Sequence, residues 1–93
     1  KYLVMYILKD DQSTEGRLGI SVSKKVGNSV VRHRLKRVIR ECFRTRPQGW
    51  KAGYDYVVIA RQDAKNRDYK TLEGALWHLG KKLNVWEAEE KTV

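Results

Sequence analysis

Residues 17–44 read RLGISVSKKVGNSVVRHRLKRVIRECFR, and the fold turns on where this stretch changes its period. At its start Leu18, Ile20 and Val22 alternate with Arg17, Gly19, Ser21 and Ser23, the two-residue period of a strand with one buried face. Past Gly27 the apolar positions become Val31, Leu35, Val38 and Cys42, with Ile39 beside them, spaced four, three and four as on one face of a helix. Asn28 or Ser29 is available as N-cap, and Pro47 with Gly49 ends the helix. The stretch predicts a strand that runs through a short Lys-rich turn into an amphipathic helix.

Working outward, YLVMYIL (2–8) is rich in aromatic and β-branched residues and stops at the polar KDDQSTEG, closed by Gly16. It and residues 17–23 are expected to pair as an antiparallel hairpin. Downstream, GYDYVVIAR (53–61) is a mostly apolar run led by a turn, which suits a central strand. A second helix follows Asp68, with Leu72, Leu76, Leu79 and Leu83 as its stripe. At 93 residues, with 41% apolar content and one Pro, the chain reads as a single domain over 1–93 with a modest core.

The charge is local. Residues 24–46 hold nine bases and one acid, a segment at +8, whereas the rest of the chain, with eleven bases and ten acids, is at +1. At about 100° per residue, Arg32, Lys36, Arg40, Arg44 and Arg37 fall within an arc of roughly 140° beside the apolar stripe. A charged arc is ordinarily a solvated face. Here acids for i,i+4 pairs are almost absent, and Arg32 and Arg34 sit in the first turns, where the helix dipole disfavours cations. Accepting that cost points to a polyanionic partner, with nucleic acid first. Arginine forks grip phosphate oxygens in pairs, and KKVGNS brings two lysines to a helix N-terminus. The Gly-Lys-Ser/Thr order of a Walker loop is missing.

Other chemistries find little support. Cys42 is the single cysteine, which excludes an internal disulfide, fits a reducing cytoplasm, and from its place on the stripe reads as a small buried hydrophobe. The seven-residue apolar run near the start is too short for a membrane span. His33 and His78 lack metal-spaced partners, and Asp10, Asp11, Asp55, Asp63 and Asp68 are scattered, with no paired carboxylates for a metal-dependent nuclease. Trp50, Trp77 and Trp86 read as packing residues. Tyr2 and Tyr6 share one strand face, as do Tyr54 and Tyr56. Rings on a sheet can stack unpaired bases, a role nearer even for Tyr6, whereas Tyr54 and Tyr56 read as core.

RLGISVSKKVGNSVVRHRLKRVIRECFR resembles the signature of the bacterial ribonuclease P protein subunit: a strand, a Lys-Lys-x-Gly-Asn turn and an Arg-Asn-Arg-x-Lys-Arg helix. KAGYDYVVIAR resembles that family's Gly-Tyr-Asp strand and YKTLEGALWHL its terminal helix, so the likeness runs from about residue 2 to residue 83. The resemblance implies an α/β fold, an α+β sandwich of helices on a four-stranded sheet, similar to a ribosomal protein domain and containing a left-handed βαβ crossover. General handedness rules would have voted against that crossover. It implies that a large RNA cleaves the 5′ leader from precursor tRNA with bound Mg²⁺, and that the protein assists without catalytic side chains. By motif match Lys24, Lys25, Asn28, Arg32, His33, Arg34, Lys36, Arg37 and Arg40 face the RNA subunit, and Tyr6 belongs to a leader cleft on the sheet. The implied partners are ribonuclease P RNA and precursor tRNA, with no membrane and no small-molecule substrate.

Two departures stand out. The family opens with a basic stretch and an amphipathic helix, which this chain, starting at the first strand, is expected to lack. His33 replaces the middle Asn of the motif, so an amide's contacts do not carry over, although an imidazole can donate to phosphate or stack on a base. Two other readings stay open on sequence: a structural RNA-binding protein of ribosomal type, and a self-sufficient metal nuclease.

Overall fold

The computed structural model describes residues 2–9, 17–45, 50–51 and 53–83. The expected turn at Gly16, the helix stop at Pro47 and Gly49, and Asp10, Asp11, Arg46 and Trp86 lie outside these residues. The elements run β1 (Leu3–Lys9), β2 (Arg17–Val22), α1 (Ser29–Arg44), β3 (Tyr54–Ala60), a one-turn 3-10 helix (Gln62–Ala64) and α2 (Tyr69–Lys82).

The sheet has the order β1-β3-β2, with β1 antiparallel and β2 parallel to β3. The expected hairpin between the first two strands therefore does not form. Residues 54–60 are apolar on both faces and take the middle, with a strand along each edge. Three strands are present among the described residues, against the four that the resemblance implied. From β2 through α1 to its parallel neighbour β3 the chain makes a βαβ unit. Gly53 turns the chain into β3 at φ 87°, a left-handed conformation that a side chain would strain.

Both helices lie on one face of the sheet, α1 over β2, α2 over β1, and each against the other. The alternation in β3 buries Tyr56, Val58 and Ala60 toward them, together with Leu3 and Met5 of β1 and Val22 of β2. The α1 stripe contributes Leu35, Ile39 and Cys42, and the α2 stripe Leu72 and Leu76; Leu79 is half-buried and Leu83, at the helix end, is exposed. Tyr56 is the largest fully buried side chain, and its hydroxyl donates to the Lys51 carbonyl at 2.5 Å, so the ring is buried without an unpaired polar atom. The opposite face of the sheet carries no helix among the described residues.

Candidate nucleic-acid interface

The start of α1 is fixed by its turn. Val26 is buried and pins the loop, and its N–H donates to the Ser23 carbonyl at 3.1 Å. A Cβ on Gly27 would lie 2.8 Å from Val31 Cγ1, so glycine is what lets the turn close onto the first helical turn. Asn28 is the N-cap: its Oδ1 accepts from the Val31 N–H at 3.0 Å. Asn28, expected on the RNA-binding side, thus has its amide oxygen engaged in capping, while its N–H₂ remains a donor.

With the apolar stripe facing the sheet, His33, Arg37 and Arg40 project to solvent and Lys36 is half-buried beside them. Arg32 and Arg34 flank this face and are anchored. Arg32 Nε donates to the Gly27 carbonyl at 3.2 Å, and Arg34 Nη2 to the Arg67 carbonyl at 2.9 Å. Each guanidinium keeps further N–H groups for phosphate, in a fixed direction. Arg44, also on the arc, pairs with Glu41 at 2.5 Å. Lys24 and Lys25 are exposed on the preceding turn. Along α1, His33, Lys36, Arg37 and Arg40 thus share the outward face, with Arg32 and Arg34 at its two edges and Lys24, Lys25 and Asn28 on the turn that precedes it. Ser29, Val30, His33, Arg34 and Arg37 line a shallow depression there, with Val30 left 74% exposed.

Tyr6 lies elsewhere, on the uncovered sheet face, where it is 57% exposed. The register sets Tyr6 beside Val57, with Gly19 on the far side of Val57 in the same row, and Val4, Ile59 and Ser21 in the next row toward the Lys-Lys turn. The row on the other side joins Leu8, Asp55 and Arg17, where Arg17 Nε and Nη2 grip the Asp55 carboxylate at 3.0 and 2.9 Å. The sequence does not reveal Leu8 as a companion of Tyr6, because residues 2–8 are apolar throughout and show no alternation that would sort their faces, nor Val57 and Gly19, because strand period does not tell which strands pair. Tyr2 does not join this face. It precedes β1, packs against the core and carries the Arg67 guanidinium 4.9 Å above its ring. Tyr54 packs against the core from the helix side, 6.4 Å from the Tyr56 ring.

The residues set aside behave structurally. Cys42 is buried, and burial first, then the Glu73 charge, pushes its thiol up to about 11, which keeps it protonated and inert. Trp77 Nε1 donates to the Cys42 carbonyl at 3.2 Å, and Trp50 stacks on Phe43 at 4.5 Å while donating to its carbonyl at 2.8 Å. Asp68 caps α2 by accepting from the Thr71 N–H at 2.9 Å, and hydrogen bonding to Thr71, through its side chain first and its backbone N–H second, holds the Asp68 carboxyl below the usual range. Among the described residues no three His, Cys, Asp or Glu side chains gather as a metal site, and no helix is long and apolar enough to cross a membrane.

Known proteins share this sequence pattern and fold. The family model for Ribonuclease P matches residues 1–84. The ribonuclease P protein component of Lachnoclostridium phytofermentans is 49% identical over 90 residues, covering 97% of this chain and 77% of that protein. The solved RNase P protein of Staphylococcus aureus superposes with a TM-score of 0.81 at 38% identity, over 91% of this chain and 77% of that one. The Thermotoga maritima RNase P protein gives 0.79 at 34% identity, over 88% and 77%.

Proposed function

The chain belongs to the ribonuclease P protein family, and from that premise we propose how its two exposed surfaces divide the work. As the protein component of the bacterial ribonucleoprotein it is part of a tRNA-processing endoribonuclease and works with an RNA partner. In our reading the cationic side of α1 and the Lys-Lys turn bind the RNA subunit through its phosphates, and the open sheet face around Tyr6 holds the 5′ leader of precursor tRNA. The observation that carries this division is the separation of charge from aromatic surface onto different elements.

Each surface suits its assigned ligand. Arg37 and Arg40, without a carboxylate partner among the described residues, and the anchored forks of Arg32 and Arg34 offer paired donors to phosphate oxygens. Tyr6 offers a ring to an unstacked base on a face free of helices among the described residues. The left-handed crossover implied by the resemblance is kept as part of this reading for the β2–α1–β3 connection. As the resemblance implies, Mg²⁺ is assigned in this reading mainly to the RNA subunit, and no step is given to an ion on this chain. Here the protein holds and orients RNA, and the cleavage chemistry belongs to the RNA. It follows that the site is cytoplasmic, where precursor tRNA is made.

Reconstitution tests this. The protein with Mg²⁺ should leave precursor tRNA intact on its own, and should stimulate a bacterial ribonuclease P RNA at low Mg²⁺. Cleavage by the isolated protein, or no stimulation, would overturn the reading.

A further inference from the structure

The cationic side of α1 holds one residue that phosphate binding does not explain. Val30, in the first helical turn, is the most exposed large apolar side chain among the described residues, at 74%. A β-branched residue there gains no burial and does nothing for helix propensity. One exposed valine is ordinary in itself, but its surroundings are not. With Ser29, His33, Arg34 and Arg37 it lines an open depression of about 580 Å³, inside the range of about 300–1,000 Å³ for small-molecule sites. The five residues fall in two adjacent rows, 29-33-37 and 30-34, each stepped by four along one helix face. From Val30 to Arg37 the axis advances about 10 Å at 1.5 Å per residue, room for a nucleobase and its sugar.

The depression is apolar at one end and rich in donors at the other. Arg34 is steered by the bond from Nη2 to the Arg67 carbonyl at 2.9 Å, and its other N–H groups stay available. Arg37 is exposed, and its guanidinium has no carboxylate partner among the described residues. Ser29 and His33 can each donate or accept. No acid is among these lining residues. Asp68, whose carboxyl feels the Arg34 charge, has Oδ1 engaged by the Thr71 N–H. Such a lining suits a flat ring with two acceptors side by side on one edge. Guanine is that base: its O6 and N7 match the paired donors of an arginine, whereas adenine and cytosine bring an amino group that meets the guanidinium donor to donor. In paired A-form RNA this edge lies in a groove too deep and narrow for side chains, so a base read here is unpaired.

We propose that the depression between Ser29 and Arg37 receives one unpaired guanine of RNA, with the face of the base against Val30, its O6 and N7 on the Arg37 fork, and the adjoining phosphate on Arg34. That the guanine belongs to the RNA subunit rests on the function proposed above; the preference for guanine stands on the depression alone. The basic helix then reads a base as well as gripping phosphates, which sets the protein at one register on a folded RNA.

The preference is tested with the full chain and a set of RNA hairpins that differ in one bulged nucleotide: guanine, adenine, cytosine, uracil or 7-deazaguanine, which lacks the N7 acceptor, together with a fully paired hairpin. Wild type should bind the guanine bulge about tenfold more tightly than the adenine, cytosine and 7-deazaguanine bulges, within the range of one bidentate base contact. Arg37→Ala should bring that preference below twofold. Arg40→Ala, outside the depression, should weaken every hairpin and keep the preference. Val30→Ala should weaken the bulged hairpins a few-fold more than the paired one. Val30 and Arg37 are exposed, so melting temperatures should stay near wild type. Equal affinities for all the bulges, or a guanine preference that survives Arg37→Ala, overturns the proposal. In the RNA subunit, 7-deazaguanosine at one unpaired position should weaken assembly with wild type and not with Arg37→Ala; a guanine preference on hairpins without such a position overturns the assignment to the RNA subunit. Wild-type protein that prefers the guanine bulge yet fails to stimulate the RNA would leave the base site standing and remove the functional reading.

Discussion

The outer side of α1 and the open face of the sheet are both exposed, yet they are built from opposite chemistry. On the helix, charge is concentrated without compensating acids: α1 has no acidic residue in its first turn, and its sole acid, Glu41, is taken by Arg44. On the sheet, the cross-strand row at one end closes its own charges through Arg17 and Asp55, and the centre presents Tyr6 beside Val57. Phosphate contacts give affinity and register with no regard for sequence, whereas stacking selects bases that are not already paired. A protein that keeps the two apart can grip a folded RNA with one surface and hold a single strand with the other.

The largest effect should come from removing charge. Replacing Arg32, Lys36 and Arg40 with Ala should weaken RNA-subunit binding on the order of a hundredfold or more and flatten the salt slope by about one unit per lost contact. The control triple is Lys70, Lys81 and Lys82 on α2; an equal loss there would erase the distinction between a local face and general positive charge.

Next comes the sheet. Tyr6→Ala should cost about 1–3 kcal/mol in the affinity of holoenzyme for precursor tRNA with a several-nucleotide leader, and nothing with a one-nucleotide leader. Tyr6→Phe keeps the ring and should behave as wild type. Assembly with the RNA subunit should not change. Because the ring is more than half exposed, the melting temperature should barely move; a large drop together with weaker binding of both substrates would make Tyr6 structural.

His33 sharpens the helix side of the comparison. If the imidazole works as a neutral donor, His33→Asn should retain binding and His33→Ala should lose a few-fold. Affinity that rises tenfold from pH 8 to pH 6 in wild type and not in His33→Asn would instead show a charged imidazole on phosphate.

The smallest effects belong to the caps. Asn28→Ala should lower stability by about 1 kcal/mol through the lost bond to the Val31 N–H, and Asn28→Ser should restore most of it. Asp68 adds a pH signature: its carboxyl is depressed in the folded state, so its contribution is present above the unfolded carboxyl value and fades as pH falls through the depressed one. Asp68→Asn should remove that part of the acid limb in a stability titration.

The sequence showed faces better than neighbours. Period alone placed Leu35, Ile39 and Cys42 inward and left Arg37 and Arg40 outward, since a helix that packs by one stripe has no choice about the rest. It put Leu18, Ile20 and Val22 on the helix side of β2 for the same reason. It did not tell which strands pair, because a two-residue period says which way a side chain points and nothing about which strand lies alongside. The two-sided apolar character of residues 54–60 did mark a central strand, and taken at its word it would have ruled out the hairpin. At the candidate site, the motif named the cations but not their anchors: the carbonyl that orients Arg34 lies 33 residues away and carries no side-chain signal.

That anchor ties distant parts of the molecule into one frame. Arg34 is held by the Arg67 carbonyl; Arg67 in turn donates Nε to the Asp63 carbonyl at 3.1 Å and lies over Tyr2 at the mouth of β1. The first turns of the basic helix, the 3-10 turn and the edge of the sheet are thereby set at a fixed spacing before any RNA arrives. Under the function proposed above, the protein would then act as a gauge. An RNA whose helix-bound and sheet-bound portions are separated by the matching span meets both surfaces without any ordering of the protein, while one with a longer or shorter span must distort itself or forgo a surface.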